Sequence, residues 1–296
     1  MDLEILRFFQ GIGCGFCDYI FSAITVLGEI FVFVALIPLI YWCFDKALGE
    51  EVAVSVLSGS YVNYLIKGAV ARVRPIGREG VRRARFDYFY DSLKGENGLY
   101  VPESFPSGHS QASASFYSAL SYKKGFRRFW WLLLIPVVIG YSRLYLGVHW
   151  PSDVLVGLLE GFLISWLIHL SMKKNKRNTL LVVPVIAAAL VGFAFGGDLE
   201  QLGKTFMLLG LLWGASLGII LENYAVKSST DGLQLWKRLV RIPVGLLAVV
   251  LTAGVVFLPL WLFGVGKTVI FLPASVAAGF GMTAVAPLLF KKLGLN

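Results

Sequence analysis

Residues 129–172 read FWWLLLIPVVIGYSRLYLGVHWPSDVLVGLLEGFLISWLIHLSM: two apolar runs, 129–148 and 151–172, joined by a short turn. Each run is close to the roughly 20 residues that carry a helix across a bilayer. An outer-membrane strand would instead alternate apolar and polar residues over about ten positions. The stretch predicts two transmembrane helices, and Ser142, Arg143, His149 and Asp153 gather around the turn between them.

The rest of the chain repeats that pattern. Of 296 residues, 57% are hydrophobic and 15% charged, and mean hydropathy is +0.72. A soluble domain carries about 25% charged residues, so there is too little polar surface for a soluble globule, and disordered or disulfide-framework classes are excluded as well. The expected fold is all-α, a polytopic transmembrane bundle. A net charge of +9 fits basic residues at cytoplasmic loops and headgroups better than nucleic-acid binding, and no nucleic-acid partner is expected. Cys14 and Cys17, spaced C-x-x-C, read as small interfacial residues rather than a redox or disulfide pair.

Working outward, 3–12 reads as an amphipathic interfacial helix. Spans are expected over about 19–44, 52–70, 107–122, 129–148, 151–172, 179–195, 205–221, 242–263 and 268–290, nine in all. With nine spans, Lys123, Lys124, Arg127, Arg128, Lys173, Lys174, Lys176, Arg177, Lys227, Lys237, Arg238, Arg241, Lys291 and Lys292 fall on one side. The positive-inside rule makes that side cytoplasmic and the N-terminus external. The acidic loop at residues 196–200 falls outside. So does the 72–106 segment, although it carries Arg72, Arg74, Arg78, Arg82, Arg83, Arg85 and Lys94. Its basic residues oppose the rule. Arg74 is expected to bind an anion directly, and Arg82, Arg83 and Arg85 to act as an electrostatic funnel.

That outer face collects the polar residues of the chain. Lys67, Arg74 and Pro75 form K-x6-R-P, with the two cations expected on one helical face. Pro106-Ser107-Gly108-His109 reads as a helix start with Ser107 as N-cap and free N–H groups behind it, an anion site. Pro151 stands near another helix start, from which Asp153 reaches back to one imidazole nitrogen of His149. Cations, a helix N-terminus and two histidines, one buttressed by a carboxylate, are the parts of phosphoryl transfer through a covalent intermediate. His149 is the expected nucleophile and His109 the acid and later the base. No metal-ligand cluster is evident; no metal and no cofactor are expected. His169, deep in its span, reads as a structural histidine, and Glu222 has no evident role.

Together K-x6-R-P, P-S-G-H and S-R-x5-H-x3-D resemble the three signature motifs of the type 2 phosphatidate phosphatase superfamily, over about residues 50–175. The resemblance implies a helical bundle with His149 as nucleophile, Asp153 as its orienter and His109 as general acid. It implies phosphate binding by Lys67, Arg74, Ser107, Gly108 and Arg143, supported by Pro75, Pro106 and Ser142. Many bacterial members have two spans before the first motif. One span before it and about four after the third are more similar to the sphingosine-1-phosphate phosphatase and glucose-6-phosphatase branches.

The expected organisation is a catalytic core over 1–178 and additional transmembrane helices over 179–296 packed on it, the latter serving as packing elements or a wall for a lipid tail. The expected activity is hydrolysis of a lipid phosphate or pyrophosphate. A sugar-phosphate phosphatase, a phosphotransferase and a non-hydrolytic transporter or receptor are alternatives, although binding alone needs no acid and nucleophile. The partners implied are an amphiphilic phosphate and membrane lipid. The 72–106 segment holds no N-x-S/T sequon, which favours a bacterial plasma membrane with an outward-facing site over a eukaryotic lumen.

Overall fold

Every regular element is a helix among the residues that the computed structural model describes, 2–11, 13–83, 103–190 and 199–296. The helices are α1 (Asp2–Gln10), α2 (Gly15–Val26), α3 (Ile30–Leu39, continued by a π turn Ile40–Phe44), α4 (Lys46–Val70) and α5 (Gly108–Lys124). They continue with α6 (Leu134–Tyr145), α7 (Pro151–Ala189), α8 (Leu199–Leu221), α9 (Leu235–Leu262), α10 (Lys267–Phe280) and α11 (Ala286–Lys292). Arg85, Lys94 and the loop residues Gly196–Asp198 lie outside the described residues.

Among the described residues, four stretches are long and apolar enough to cross a membrane: Pro151–Ala189, Leu202–Val226, Leu235–Leu262 and Lys267–Lys292. Ile30–Phe44 and Trp130–Tyr145 are apolar but shorter. A straight helix of the 39 residues of α7 would be about 58 Å long at 1.5 Å per residue, twice the hydrocarbon core, but α7 is not straight. It divides at Asn175, whose backbone (φ −157°, ψ 91°) is not helical. α5 is not an apolar helix, and the reason is physical. Ser110, Ser113, Ser115, Ser118 and Ser121 are buried along it, and such small residues suit close helix packing, not lipid contact.

The chain forms two compact units, Met1–Phe33 with Ile66–Trp166, and Val34–Leu65 with Leu167–Asn296. In the first, α5 and α7 approach closely because α7 offers Gly157 and Gly161. A Cβ at Gly157 would lie 2.5 Å from the Ser107 carbonyl oxygen, and one at Gly161 would strike that of Gln111. Ser hydroxyls return to their own helix, Ser113 Oγ donating to His109 O at 2.6 Å. On the other flank of the unit, Phe21, Tyr141 and Tyr145 stack.

In the second unit the buried charged residues have internal partners. Lys46 Nζ pairs with the buried Glu222 at 2.6 Å, and Glu222 accepts from Ser228 N and Oγ, both at 2.7 Å. Glu222 therefore ties the end of α8 to the start of α4. Lys176 pairs with buried Glu50, and His169 Nδ1 lies 2.6 Å from Glu51 Oε1, consistent with a structural histidine. Arg241, expected in a cytoplasmic loop, is buried on α9. It donates to Trp42 O at 2.5 Å, Ser229 O at 2.8 Å and Leu295 O at 3.1 Å.

Four expectations are corrected. The span expected over 19–44 is broken: α2 closes with Leu27, Gly28 and Glu29 N–H groups donating three residues back, and α3 restarts at Ile30. At the break Gly28 packs where a Cβ would lie 2.7 Å from Ile139 Cγ2 and 3.1 Å from His109 Cδ2. Lys67 and Arg74 do not share a helix, since α4 ends at Val70 and the chain turns at Ala71 with φ 44°. Cys14 and Cys17 are joined in a disulfide at the head of α2, with Cα atoms 5.1 Å apart. Finally, Arg82, expected as a free cation of the funnel, is paired: its Nη2 clasps buried Asp18 at 2.7 and 2.9 Å, and its Nη1 donates to the Tyr145 hydroxyl at 3.1 Å.

Candidate active site

The first unit brings the three sequence motifs together. After Val70 the chain leaves the helix, and Arg72 O accepts the Ser104 N–H at 2.9 Å. That bond lays the segment before α5 beside the segment after α4. Lys67 Nζ then reaches the Glu103 carbonyl at 2.6 Å and Arg74 Nη2 reaches the same oxygen at 3.2 Å. Two buried cations thus converge on one acceptor without sharing a helix. Pro75 follows, buried, in the bend that ends the segment.

Pro106, after a cis Phe105–Pro106 bond, leads into Ser107, the N-cap of α5. The Ser107 hydroxyl accepts from Ser110 N at 3.5 Å and Ser110 Oγ at 3.0 Å, while Ser107 N donates to Asp153 O at 2.9 Å. Gly108 and His109 occupy the first turn, where helix N–H groups lack intrahelical partners.

His149 stands in the turn between α6 and α7. Its Nε2 faces Arg74 Nη1 at 3.1 Å; its Nδ1 lies 3.5 Å from Asp153 Oδ2 and 3.5 Å from Ser104 Oγ. Ser104 also donates a very short hydrogen bond to Asp153 Oδ2, so a hydroxyl stands beside the imidazole–carboxylate pair. Asp153 is fixed from two further directions. Its Oδ2 accepts the Trp150 N–H at 2.9 Å, the reach-back of a capping box with Pro151 at the first helical position. Its Oδ1 accepts from Arg72 Nη1 at 2.7 Å, and Arg72 is held in turn by Asp2 at 2.7 Å and by the Trp150 ring. Burial first, and then the charge of Arg74, push the His149 imidazole well below its ordinary pKa.

Arg143, buried on α6, donates from Nη1 to Thr25 Oγ1 at 2.5 Å. Ser142 bonds back to Ile139 O at 2.6 Å, a helix-packing contact. His109 Nε2 lies 3.1 Å from Glu29 Oε1. Motif reading passes over Thr25, Glu29, Arg72 and Ser104. For Glu29 a signal existed: an ionisable side chain inside an otherwise apolar run.

Arg74, Arg143, Lys67 and His109 all lie within electrostatic reach of His149, and the chain can now be set beside known proteins. Residues 51–177 match the model of the PAP2 superfamily, and residues 206–296 match one described as PAP2 superfamily phosphatase, transmembrane extension. The chain belongs to the PAP2 superfamily and is a multi-pass membrane phosphatase. A lipid A 4'-phosphatase of Bacteroides thetaiotaomicron is 30% identical over 194 residues, 62% of this chain and 83% of that one. A putative undecaprenyl-diphosphatase, YbjG of Escherichia coli, is 26% identical over 48% of this chain and 67% of its own. The crystal structure of Aquifex aeolicus LpxE aligns with 56% of this chain and 93% of its own at 26% identity and a TM-score of 0.47.

Proposed function

We propose that the chain hydrolyses the phosphomonoester or pyrophosphate of an amphiphilic lipid through a phosphohistidine on His149. The observation that carries this reading is the orientation of that ring, with Nε2 toward the cation and Nδ1 toward Ser104 and Asp153. A guanidinium only donates, so the nitrogen beside it holds the lone pair. Lys67, Arg74, Arg143 and the N-terminus of α5 hold the phosphoryl oxygens and stabilise charge developing on them. The Nε2 lone pair attacks phosphorus, the bond to the leaving oxygen breaks with its electron pair, and His109 supplies the proton. Water then attacks phosphorus, gives a proton to His109, and the P–N bond returns its pair to Nε2. Pro75, Pro106 and Ser142 support this frame.

Residues 1–178 carry the chemistry and 179–296 add further spans. The names of the relatives, a lipid A phosphatase and an undecaprenyl-diphosphatase, support a lipid substrate. The nine-span topology, with the N-terminus and the site outside a bacterial plasma membrane, draws on the basic segments at 123–128 and 173–177. The Cys14–Cys17 disulfide supports the same side, since disulfides persist in oxidising compartments.

The test is phosphate release by the purified full chain from a polyprenyl pyrophosphate, a lipid A phosphate, phosphatidate, a long-chain base phosphate and glucose-6-phosphate. Turnover of at least one amphiphile well above the sugar phosphate is expected. Preference for glucose-6-phosphate, or no release from any lipid, overturns the substrate class.

A further inference from the structure

The break between α2 and α3 delivers a carboxylate to the second histidine of the site. Glu29 Oε1 lies 3.1 Å from His109 Nε2, and the two side chains are 29% and 19% exposed. Gly28 makes the approach possible, because a Cβ there would press on the His109 ring. One turn earlier Thr25 holds Arg143. This short segment therefore touches two of the phosphate-site residues, although it precedes residue 51, where the family match begins.

We infer that Glu29 is the positioning carboxylate of His109, making the site a pair of carboxylate–imidazole units, Asp153 with His149 and Glu29 with His109. The inference rests on the proposed role of His109 as acid. The charged groups facing His109 are Glu29 from the α2–α3 break, Arg143 from α6 and Arg74 from the segment after α4, with His149 in the turn before α7. Burial first, and then the two arginines, disfavour a proton on the imidazole, and the carboxylate favours it. In the first step the proton on His109 passes to the leaving oxygen as that oxygen takes the electron pair of its bond to phosphorus. In the second, a proton from the attacking water restores the imidazolium against Glu29. The carboxylate stays ionised throughout and holds the ring for both transfers.

The experiment compares Glu29→Gln, Glu29→Asp and His109→Ala with the parent chain. The substrates are a short-chain alkyl phosphate, whose alkoxide needs a proton to leave, and p-nitrophenyl phosphate, whose leaving group does not. General acids contribute about 10²–10⁴-fold, so Glu29→Gln is expected to lower the single-turnover rate on the alkyl ester about 10–100-fold. The aryl ester should lose no more than about threefold. The alkaline limb of the alkyl profile should move to lower pH by about one unit, since the acid loses its proton more readily without the carboxylate. Glu29→Asp should move both readouts the same way but less.

Competitive inhibition by inorganic phosphate reports an intact pocket. If Glu29→Gln loses it, Glu29→Asp carries the same two readouts. Equal losses on both esters with an unmoved alkaline limb overturn the role of Glu29. So does unchanged Glu29→Gln beside an impaired His109→Ala. Full alkyl turnover by His109→Ala instead removes the acid assignment itself, which separates the two failures.

Discussion

Arg74 Nη1 and His149 Nε2 meet at 3.1 Å, and the contact fixes what the imidazole can do. Arginine has no lone pair to offer, so Nε2 is the unprotonated nitrogen and Nδ1 carries the hydrogen toward Ser104 and Asp153. The nitrogen able to form a bond thus lies among the cations that would hold a phosphoryl group. Replacing His149 by Ala should abolish turnover while vanadate or inorganic phosphate still binds, because Lys67 and Arg74 keep their shared carbonyl. Turnover within tenfold of the parent would remove His149 from the nucleophile role.

The same contact makes a pH prediction. Burial and Arg74 hold the His149 pKa well below its ordinary value, so the ring stays neutral and nucleophilic into mildly acidic solution. The acid limb of kcat/KM should lie below about pH 6.5, the value of an unperturbed histidine. Arg74→Gln removes a repelling charge and should move that limb upward, whatever it does to affinity. The folded pKa is the depressed one, so this group's contribution to stability is present above the unfolded value and lost as pH falls below it. A limb that stays put in Arg74→Gln would show that the cation does not act on His149.

Ser104 separates the positioning of the ring from its chemistry. It is bonded to Asp153 and stands 3.5 Å from His149 Nδ1, but Asp153 keeps Trp150 N and Arg72 when Ser104 is removed. Ser104→Ala should therefore lower kcat about tenfold with little change in KM, the modest end of what orienting groups supply. Asp153→Asn, which disturbs tautomer and ring together, should cost about 10²–10⁴ in kcat. Equal losses in the two variants would mean that Ser104 carries the carboxylate's effect alone.

Turnover of a soluble short-chain phosphate should survive EDTA. Among the described residues no group of three His, Cys, Asp or Glu is placed to hold a metal ion, and the charge on the phosphoryl oxygens can be met by Lys67, Arg74, Arg143 and the start of α5. Loss in chelator with recovery on adding one divalent cation would overturn the proposed mechanism.

How much of this was legible in the sequence follows from range. Lys67, Arg74, Ser107, His109, His149 and Asp153 were legible because helix starts, proline bends and fixed spacings are local signals. The apolar body and end of a helix were legible, as in α9, but not its start, which lies at Leu235 and not near residue 242. The hidden parts depend on contacts between distant segments. Glu29 meets His109 across 80 positions, and Arg72 meets Asp153 across 81; no periodicity records either. Hydropathy also hides a break inside an apolar run, because Leu27-Gly28-Glu29 costs the window average little while the glycine there lets the chain lie close against α5 and α6.

Arg82 shows the same point and gives the last prediction. On charge alone it belongs to a basic outer segment that would attract an anionic headgroup. In the fold its guanidinium is spent on Asp18, whose side chain is fully buried, and on the Tyr145 hydroxyl. Arg82 itself remains about one-third exposed, so part of the attraction is screened by solvent. Deleting one partner of a buried pair costs about 3–5 kcal/mol because the other charge is left behind; the exposure of Arg82 puts this case toward the lower end. Arg82→Gln should lower Tm by several degrees while KM and its salt dependence stay near those of the parent. Asp18→Asn in the same chain should recover part of the loss by removing the stranded carboxylate. A raised KM with weakened salt dependence and an unchanged Tm would mean that Arg82 attracts substrate and that its bond to Asp18 contributes nothing to the fold.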